Sequence, residues 1–489
     1  VLIPRAEIDK VLALYANRPL TFSDLREATV RVEKLHADAG FEVVRAIIPE
    51  QDLTPGGTLT IQIVDARLDE VKVGGNEHFS SDQIRKSLVV LSPGALINTK
   101  DMDRNLRVLN DNPAINARVT LEPSDKPALV DAQVKVQDQN PLGAYVTFDN
   151  TGTSSTGRFR LGLVVIDNNV FGKGHMLTAQ TVTSPGRWSD VQVYGLTYRV
   201  PFYAQNGILD LTYNDSNVNA GTFSIGSSSL NVQGAGTTTG VKWTEFLNRL
   251  NGMDQRVFFS FEHKQFTSQV LLNNTGSSLT PDLQSDPYTL GYTLIDQRNA
   301  LSRQFQLSYS KNYVMGGQNS TTQYAKSNPQ SKADFDVFRL SSSWSDQIFS
   351  RYRFTAALDG QYSSYSLISG EQFGAGGVYS VRGFEERAVS GDSGLRESFE
   401  LLSPNVLPDK SPYLKRLQYA AFVEGAQLRS NAVTAPTLSE TRILAAGVGL
   451  RFALTERDQI RLDLARVISG TVVEPHGDMK LHLSIAVAL

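Results

Sequence analysis

The chain has 489 residues, with 47 basic and 50 acidic side chains and a formal net charge of −3. That length exceeds one ordinary domain, and the near-neutral charge gives no indication of a nucleic acid partner. No run approaches the ~18 to 20 consecutive apolar residues of a transmembrane helix, which excludes a helical membrane protein. The sequence contains no cysteine, so disulfides and thiolate metal sites are excluded as well.

The first 66 residues predict a small α+β domain. Its predicted elements follow from apolar periodicity and turn signals, in the order helix 6–16, helix 23–39, strand 41–48 and strand 58–64. Gly40 is a typical stop signal for the second helix. Almost nothing before Pro4 could form an opening strand, so the unit is expected to start in the middle of its domain.

Residues 67–139 repeat this pattern with an additional strand at the beginning. The predicted elements are strand 68–73, helices 81–91 and 101–109, and strands 117–121 and 130–137. The order is therefore β-α-α-β-β over roughly 70 residues, and the two units form a tandem repeat. Taken alone, they could equally be ordinary small α+β domains.

From residue 140 to residue 489, short alternating runs are separated by clusters of Gly, Asn, Ser and Asp. Sixteen strands are predicted, near residues 143–152, 157–168, 173–184, 188–200, 206–216, 237–248, 255–266, 287–297, 301–313, 334–347, 350–363, 394–403, 415–426, 439–452, 457–466 and 479–489. An even number of strands returns both ends of a closed barrel to the same side of a membrane. The sequence thus predicts a β-rich membrane protein with a 16-stranded antiparallel transmembrane β-barrel.

Side-chain alternation in the predicted strands separates an apolar face from a polar face. Near the C-terminus, Leu481 and Leu483 share one parity, while His482 and Ser484 take the other. We expect the apolar face to contact lipid and the other face to line a charged, hydrated lumen. A soluble β-sandwich is the alternative, but the strands carry no second set of inward apolar residues.

A glycine-rich loop at 365–394 carries the tetrapeptide Val381-Arg382-Gly383-Phe384. Further on, the alternation within 417–428 places Phe422 and Glu424 on the lumen side of a predicted strand. An isolated Arg-Gly pair in such a loop would usually be an exposed surface arginine. The two motifs gain significance only together with the strand count and the two tandem domains.

Both motifs resemble those of the outer-membrane protein 85 superfamily, in which the loop after the eleventh barrel strand folds into the barrel. The tandem units are similar to POTRA domains, the periplasmic modules of that superfamily. Several positions are similar to those of its two-partner-secretion branch, namely Pro49, Gln51, Asp52, Leu53 and Asn110-Asp-Asn-Pro113. Two POTRA units are typical of two-partner-secretion transporters of the TpsB type, whereas BamA-type assembly factors carry five and TamA-type factors three.

The resemblance implies that Arg382, in the inward-folded loop, pairs with Glu424 on the barrel wall, next to Phe422. A guanidinium offers two parallel donors to a carboxylate, which fixes orientation as well as position. Gly383 would permit a close approach or a positive φ, and Phe384 would pack on the inner wall. The loop would then be a conformational lock that moves when a substrate passes.

The resemblance further implies POTRA domains at 1–66 and 67–139 and a barrel at 140–489, in the outer membrane of a Gram-negative bacterium. The POTRA domains would lie in the periplasm and capture a large, unfolded exoprotein, such as an adhesin, haemolysin or toxin, by β-augmentation. The candidate capture positions are Phe41, Val43, Arg45, Ile47, Arg118 and Thr120. The alternative is that these strand edges simply pair within their own sheets.

No enzyme activity, cofactor or metal site is expected. The six histidines lack metal-binding spacing, and the sequence has no phosphate-binding loop. Gly391-Asp-Ser-Gly394 lacks the histidine and aspartate context of a serine protease, so no catalytic serine is assigned. The expected partners are the exported protein and the outer-membrane lipids with lipopolysaccharide, around a monomeric barrel. An assembly factor for other barrels and, more remotely, a passive porin are the alternative functions.

Overall fold

The computed structural model describes residues 2–51, 56–153, 156–218, 221–225, 228–232, 235–267, 281–298, 300–349, 351–408, 411, 414–431, 439–455 and 457–489. The chain forms two compact units. One comprises Val1–Pro141 with Phe171–Gly174 and Pro201–Gly207, and the other comprises Leu142–Val170, His175–Val200 and Ile208–Leu489. No helix in the described ranges is long and apolar enough to span a membrane.

Two helices and a two-stranded antiparallel sheet form the first module of the N-terminal unit. They are helices α1 (Arg5–Leu12) and α2 (Phe22–Asp38) and strands β1 (Arg45–Ile47) and β2 (Gln62–Val64). The hydroxyl of Thr21 accepts the Asp24 N–H at 3.2 Å, and the Asp24 carboxylate accepts the Thr21 N–H at 2.7 Å. This reciprocal capping fixes the start of α2. Strand β2 is shorter than the strand predicted at 58–64.

The predicted strand 41–48 is wrong in its first half, because β1 begins only at Arg45. Gly40 has a φ of +99° and follows the end of α2. The Phe41 N–H then donates to a carbonyl of the last turn of α2 at 2.8 Å. A backbone that closes a helix-terminal turn is not extended, so Phe41 and Val43 lie before the strand.

A three-stranded sheet and two helices form the second module. Its elements are strand β3 (Arg67–Gly74), helices α3 (Ser81–Ser87) and α4 (Thr99–Asn110), and strands β4 (Ile115–Pro123) and β5 (Leu129–Asp138). The sheet order is β3-β5-β4, with β3 parallel and β4 antiparallel to β5. The predicted β-α-α-β-β order is confirmed, although α3 ends earlier than the helix predicted at 81–91.

A buried apolar core and one carboxylate hold this second module together. The core contains, among others, Leu68, Ile84, Leu109 and Val134. Asp138 accepts hydrogen bonds from three consecutive backbone N–H groups, those of Glu77, His78 and Phe79, at 2.9, 2.9 and 2.8 Å. Burial by itself raises the pKa of the Asp138 carboxyl, but the three bonds together lower that pKa below its ordinary value.

The second unit is a closed antiparallel barrel. Its strands are β6 (Leu142–Asp149), β7 (Arg160–Val170), β8 (His175–Thr183), β9 (Gln192–Phe202), β10 (Gly207–Ser216), β11 (Gly221–Ile225), β12 (Ser228–Val232), β13 (Gly236–Phe246), β14 (Asp254–Phe266), β15 (Leu283–Ser285), β16 (Pro287–Arg298), β17 (Leu301–Asn312), β18 (Asp336–Ile348), β19 (Tyr352–Tyr362), β20 (Phe373–Ala375), β21 (Val389–Gly391), β22 (Ser393–Leu402), β23 (Arg416–Arg429), β24 (Glu440–Ala453), β25 (Gln459–Ser469) and β26 (Met479–Ala488). A short helix, α5 (Thr321–Ser327), lies between β17 and β18.

Not every one of these strands is a separate wall strand. β15 and β16 pair with the same neighbour, β14, one after the other, so together they form one spanning strand. β11 pairs only with β12, and β20 only with β21, outside the barrel sheet. The described residues therefore form 16 spanning strands, and β26 pairs with β6 to close the barrel. The predicted strand number is confirmed.

Alternate side chains of the wall strands lie on opposite faces. In β23, Tyr419 is exposed on the outer face, whereas Phe422 and Glu424 are buried on the inner face. In β26, Leu481 is exposed and His482 is buried. An apolar outer face and a polar inner face are what a barrel in a lipid bilayer requires, and both agree with the predicted parity.

Candidate functional site: a loop held inside the barrel by charges

The connection between β19 and β22, residues 363–392, is called the inward loop here. Its strands β20 and β21 pair as a short hairpin, and Val381 and Phe384 at the far end have 0% exposed surface. The apolar cluster around these two side chains also contains Leu428, Ile443 and Val467, from β23, β24 and β25. Because the three wall residues belong to the lumen-facing parity of their strands, the tip of the loop lies inside the barrel.

Arg382, at this tip, is 2% exposed and makes three hydrogen bonds to Glu424. Its backbone N–H donates to Glu424 Oε2 at 2.7 Å, while its Nε and Nη2 donate to Glu424 Oε1 at 3.0 and 2.5 Å. The structure thus brings together the two residues that the resemblance pairs. The expected parallel fork is not formed, because the backbone N–H occupies the second carboxylate oxygen and both guanidinium donors converge on the first.

Four more charged side chains surround this pair. Arg382 Nη1 lies 2.8 Å from Glu400 Oε2 and 3.2 Å from Asp463 Oδ2. Arg451 contacts the same two carboxylates, at 2.7 and 2.6 Å, and Arg461 Nη2 lies 3.8 Å from Asp463 Oδ2. These residues are called the charge cluster: Arg382, Arg451, Arg461, Glu400, Glu424 and Asp463. Three arginines balance three carboxylates, so each buried charge has a counter-charge.

Sequence reasoning missed most of this cluster. Alternation places Asp463 and Arg461 in the lumen but gives neither of them a partner. Glu400 follows Arg396 at even spacing in β22, so its lumen-facing parity was available as a signal. Arg451 stands between Leu450 and Phe452 in β24, so alternation gives it the same lumen-facing signal. Which of these side chains meet depends on the register between strands, which the sequence of one strand does not contain.

Other contacts orient the arginine and the loop tip. The guanidinium carbon of Arg382 lies 3.4 Å from the centre of the Phe422 ring, within cation–π range. Ser398 Oγ donates to Glu424 Oε1 at 3.0 Å. The Gly383 N–H donates to His482 Nε2 at 2.8 Å, which requires that this nitrogen carry no proton. The motif residues on the loop and on β23 therefore form one connected site.

Gly383 is required because of its backbone conformation, and not because a larger side chain would clash with its neighbours. Its φ is +101°, and an added Cβ would lie 3.4 Å from Ala445 Cβ, an ordinary contact distance. We expect Gly383→Ala to destabilise the seated tip by about 1–2 kcal/mol, because this φ disfavours L residues. Because the seated tip would close the lumen, this loss should raise the open probability in single-channel recordings about 5- to 30-fold. Gly316→Ala, with a φ of +86° and open space around the Cβ, is the control. Equal effects of both variants would contradict a role specific to the tip.

The candidate capture positions lie in the N-terminal unit and are separate from the charge cluster in sequence. On β1, Arg45 and Ile47 are exposed, as are Arg118 and Thr120 on β4. Phe41 and Val43 are half-buried in the turn before β1. Of the positions compared with the two-partner-secretion branch, Asp52 and Leu53 lie outside the described residues.

β4 is an edge of its described sheet, and one part of that edge is covered. The Asn110 amide donates to the Ala117 carbonyl at 2.9 Å and accepts the Ala117 N–H at 2.7 Å. Backbone groups of alternate residues point the same way in a strand, so those of Val119 and Leu121 also point away from β5. Within the part of the chain that the structure describes, the uncovered edge therefore begins at Val119. Among the described residues, no group of three or more potential metal ligands occurs.

Comparison with known proteins places this arrangement among secretion proteins. Residues 130–452 match the profile of the family described as haemolysin secretion/activation protein ShlB/FhaC/HecB, and residues 1–65 match that of the ShlB-type POTRA domain. The outer membrane transporter CdiB of Dickeya dadantii (strain 3937) is 24% identical over 420 residues, covering 85% of this chain and 72% of that protein.

Two further similar proteins also match over most of this chain. The heme/hemopexin transporter protein HuxB of Haemophilus influenzae (strain 86-028NP) is 21% identical over 474 residues, covering 95% of this chain and 81% of that protein. The solved structure of CdiB from Escherichia coli has a TM-score of 0.81 at 19% identity, covering 100% of this chain and 88% of that chain. The structural likeness supports the same fold, with modules and barrel in the same order.

Proposed function

Because the chain belongs to the haemolysin secretion/activation protein ShlB/FhaC/HecB family, a family of two-partner secretion transporters of the outer membrane, we propose that it exports one large, unfolded partner protein. The partner would pass from the periplasm to the cell surface through the barrel. In this proposal the two N-terminal modules, at 1–66 and 67–139, are periplasmic POTRA domains that capture the partner. The barrel at 140–489 conducts it, and the inward loop closes the lumen until then.

The charge cluster is the observation that carries the proposal for the loop. A buried salt bridge is not an efficient way to stabilise a fold, since apolar side chains of similar size do as well or better. An ionic contact differs from an apolar one in what happens when it opens, because water that enters the lumen solvates the separated charges. A loop held by Arg382 and its carboxylates therefore suits two alternative positions, one seated and one displaced. A passive porin has no need of such a loop.

Capture is proposed to occur by β-augmentation at the free edge of β4. An extended segment of the partner would pair with the outward backbone groups of Val119 and Leu121. Backbone hydrogen bonds carry little sequence information, which suits a long client that passes segment by segment. The exposed side chains of Arg118 and Thr120 would then flank the added strand. The corresponding first-module candidates are Arg45 and Ile47 on β1.

The kind of protein that is exported is proposed from the family membership, and not from the charge cluster or the capture strands. One relative is named as a heme/hemopexin transporter and another only as an outer membrane transporter. For this chain we propose a secreted adhesin, haemolysin or toxin. Folding of the exported chain outside the cell would supply direction. The barrel would work as a monomer, surrounded by outer-membrane lipids and lipopolysaccharide, without catalytic residues or a cofactor.

Quantitative mass spectrometry of culture supernatant and outer membrane, with and without this gene, tests the proposed function. We expect one large secreted protein to disappear from the supernatant when the gene is deleted, while other outer-membrane barrels stay at normal levels. Depletion of many unrelated barrels would instead identify an assembly factor. An unchanged supernatant, together with altered uptake of small solutes, would identify a porin.

A further inference from the structure

A second group of buried charges contacts the inward loop closer to its beginning. Glu371 ends the short 3-10 turn Ser369–Glu371, and its side chain is 1% exposed. Glu371 Oε1 lies 3.2 Å from Lys264 Nζ and accepts a hydrogen bond from Ser285 Oγ at 2.7 Å. Glu371 Oε2 lies 3.3 Å from Arg339 Nη2. One loop carboxylate thus faces two wall cations and a hydroxyl.

These contacts lie on a different stretch of wall from the charge cluster. Lys264, Ser285 and Arg339 belong to β14, β15 and β18. The wall residues of the charge cluster belong to β22, β23, β24 and β25. The two groups share no strand, so the inward loop connects two separate parts of the barrel wall.

Apolar packing supports the loop immediately before Glu371. Leu367 and Ile368 are buried in a cluster with Tyr324 of α5, with Phe335 just before β18 and with Val337 in β18. The stretch that leads to Glu371 is therefore fixed by contacts independent of Arg382. Its main chain is also held, since Gln361 Nε2 donates to the Glu371 carbonyl at 3.0 Å.

Between the two attachments the loop does not fill the lumen. A cavity of about 280 Å³ is lined by wall residues that include Ser308, Arg339 and Gln361 and by loop residues that include Tyr379 and Glu386. The loop therefore meets the wall at discrete places rather than along its whole length. Discrete attachments can be released one at a time.

We propose that Glu371 is a second anchor of the inward loop, independent of the Arg382 contacts. The inference goes beyond the proposed function by assigning a positioning residue to the loop, and it rests on that function insofar as the loop moves during transport. Release of Arg382 alone leaves the loop attached through Glu371 to β14 and β18. The tip then moves while the beginning of the loop stays in place. Full opening of the lumen requires both anchors to separate.

Single-channel recording of the purified protein in planar bilayers, without any client, tests this anchor. Glu371→Gln keeps the shape of the side chain and removes its charge, which leaves Lys264 and Arg339 facing each other without their shared counter-charge. We expect the open probability to rise about tenfold or more. The double variant with Arg382→Ala should open more than either single variant, because the two anchors act on different walls.

Glu262→Gln is the matched control. Glu262 Oε2 lies 3.4 Å from the same lysine nitrogen, but Glu262 belongs to β14 and not to the loop. We expect this variant to open like the wild type. Slower migration of heated than of unheated protein in SDS gels verifies that each barrel is folded. If Glu371→Gln does not fold, Lys264→Gln removes the wall partner instead and should raise the open probability in the same way.

A folded Glu371→Gln protein that opens like the wild type overturns the proposal. So does a double variant that opens no more than Arg382→Ala, since Glu371 would then act only through the charge cluster. These outcomes are independent of the proposed export function, because the recordings contain no client. If gene deletion removes one secreted protein while Glu371→Gln leaves channel opening unchanged, that combination would support the proposed export function and contradict the proposal of a second anchor.

Discussion

Arg382→Ala is expected to lower export of the partner protein at least about tenfold while the barrel still inserts into the outer membrane. The substitution leaves Glu400, Glu424 and Asp463 buried with one cation fewer, and stranding buried charges in this way costs about 3–5 kcal/mol. The tip then has no defined seat, so the loop no longer switches between a seated and a displaced position as the client passes. The measurement is the amount of partner in the supernatant relative to barrel in the membrane.

Two companion variants separate the lock from general damage to the lumen. Arg396→Ala removes another lumen arginine, whose partner is Asp359 on the neighbouring strand at 2.6 Å and not the loop tip. It should export almost normally. Arg382→Lys keeps the charge but loses the separate guanidinium donors that reach Glu424 and Glu400, so we expect intermediate export. Wild-type export by Arg382→Ala, at equal barrel levels, would contradict the proposed lock.

Val119→Pro is expected to lower export about fivefold or more by blocking the free edge of β4. Proline removes the outward N–H of Val119 and places a ring where an added strand would approach. The loss of one backbone hydrogen bond accounts for about 1 kcal/mol, and the steric block adds to it. Because this N–H points away from β5, the sheet itself retains its ladder, as is typical for proline on an edge strand.

The control for this edge variant is Val119→Ala, which shortens the same side chain but keeps the N–H. We expect it to bind and export the client nearly as well as the wild type. Circular dichroism of the separately purified variants verifies that the helices and sheets are retained. Equal export by the proline and alanine variants would show that capture does not use this edge. It would favour capture at β1 instead.

The barrel strands were predictable because one physical requirement acts on every one of them. Lipid outside and water inside impose a period of two, and this period alone is enough to place Phe422 and Glu424 on the lumen side of β23. The strands of the first module carry no such constraint. Both are only three residues long, and the pattern at 41–48 does not distinguish a strand from the turn that Gly40 begins.

Sequence by itself determined the order of modules, the number of spanning strands and the face on which each side chain of β23, β25 and β26 lies. It did not determine which lumen side chains meet. Glu400, Arg451 and Asp463 come from three strands, and their convergence on Arg382 depends on strand register and on the depth of the loop tip. Glu371 likewise reaches Lys264 across 107 residues. Alternation is local to one strand, whereas register and loop position arise only when the barrel closes, so only the tertiary structure decides them.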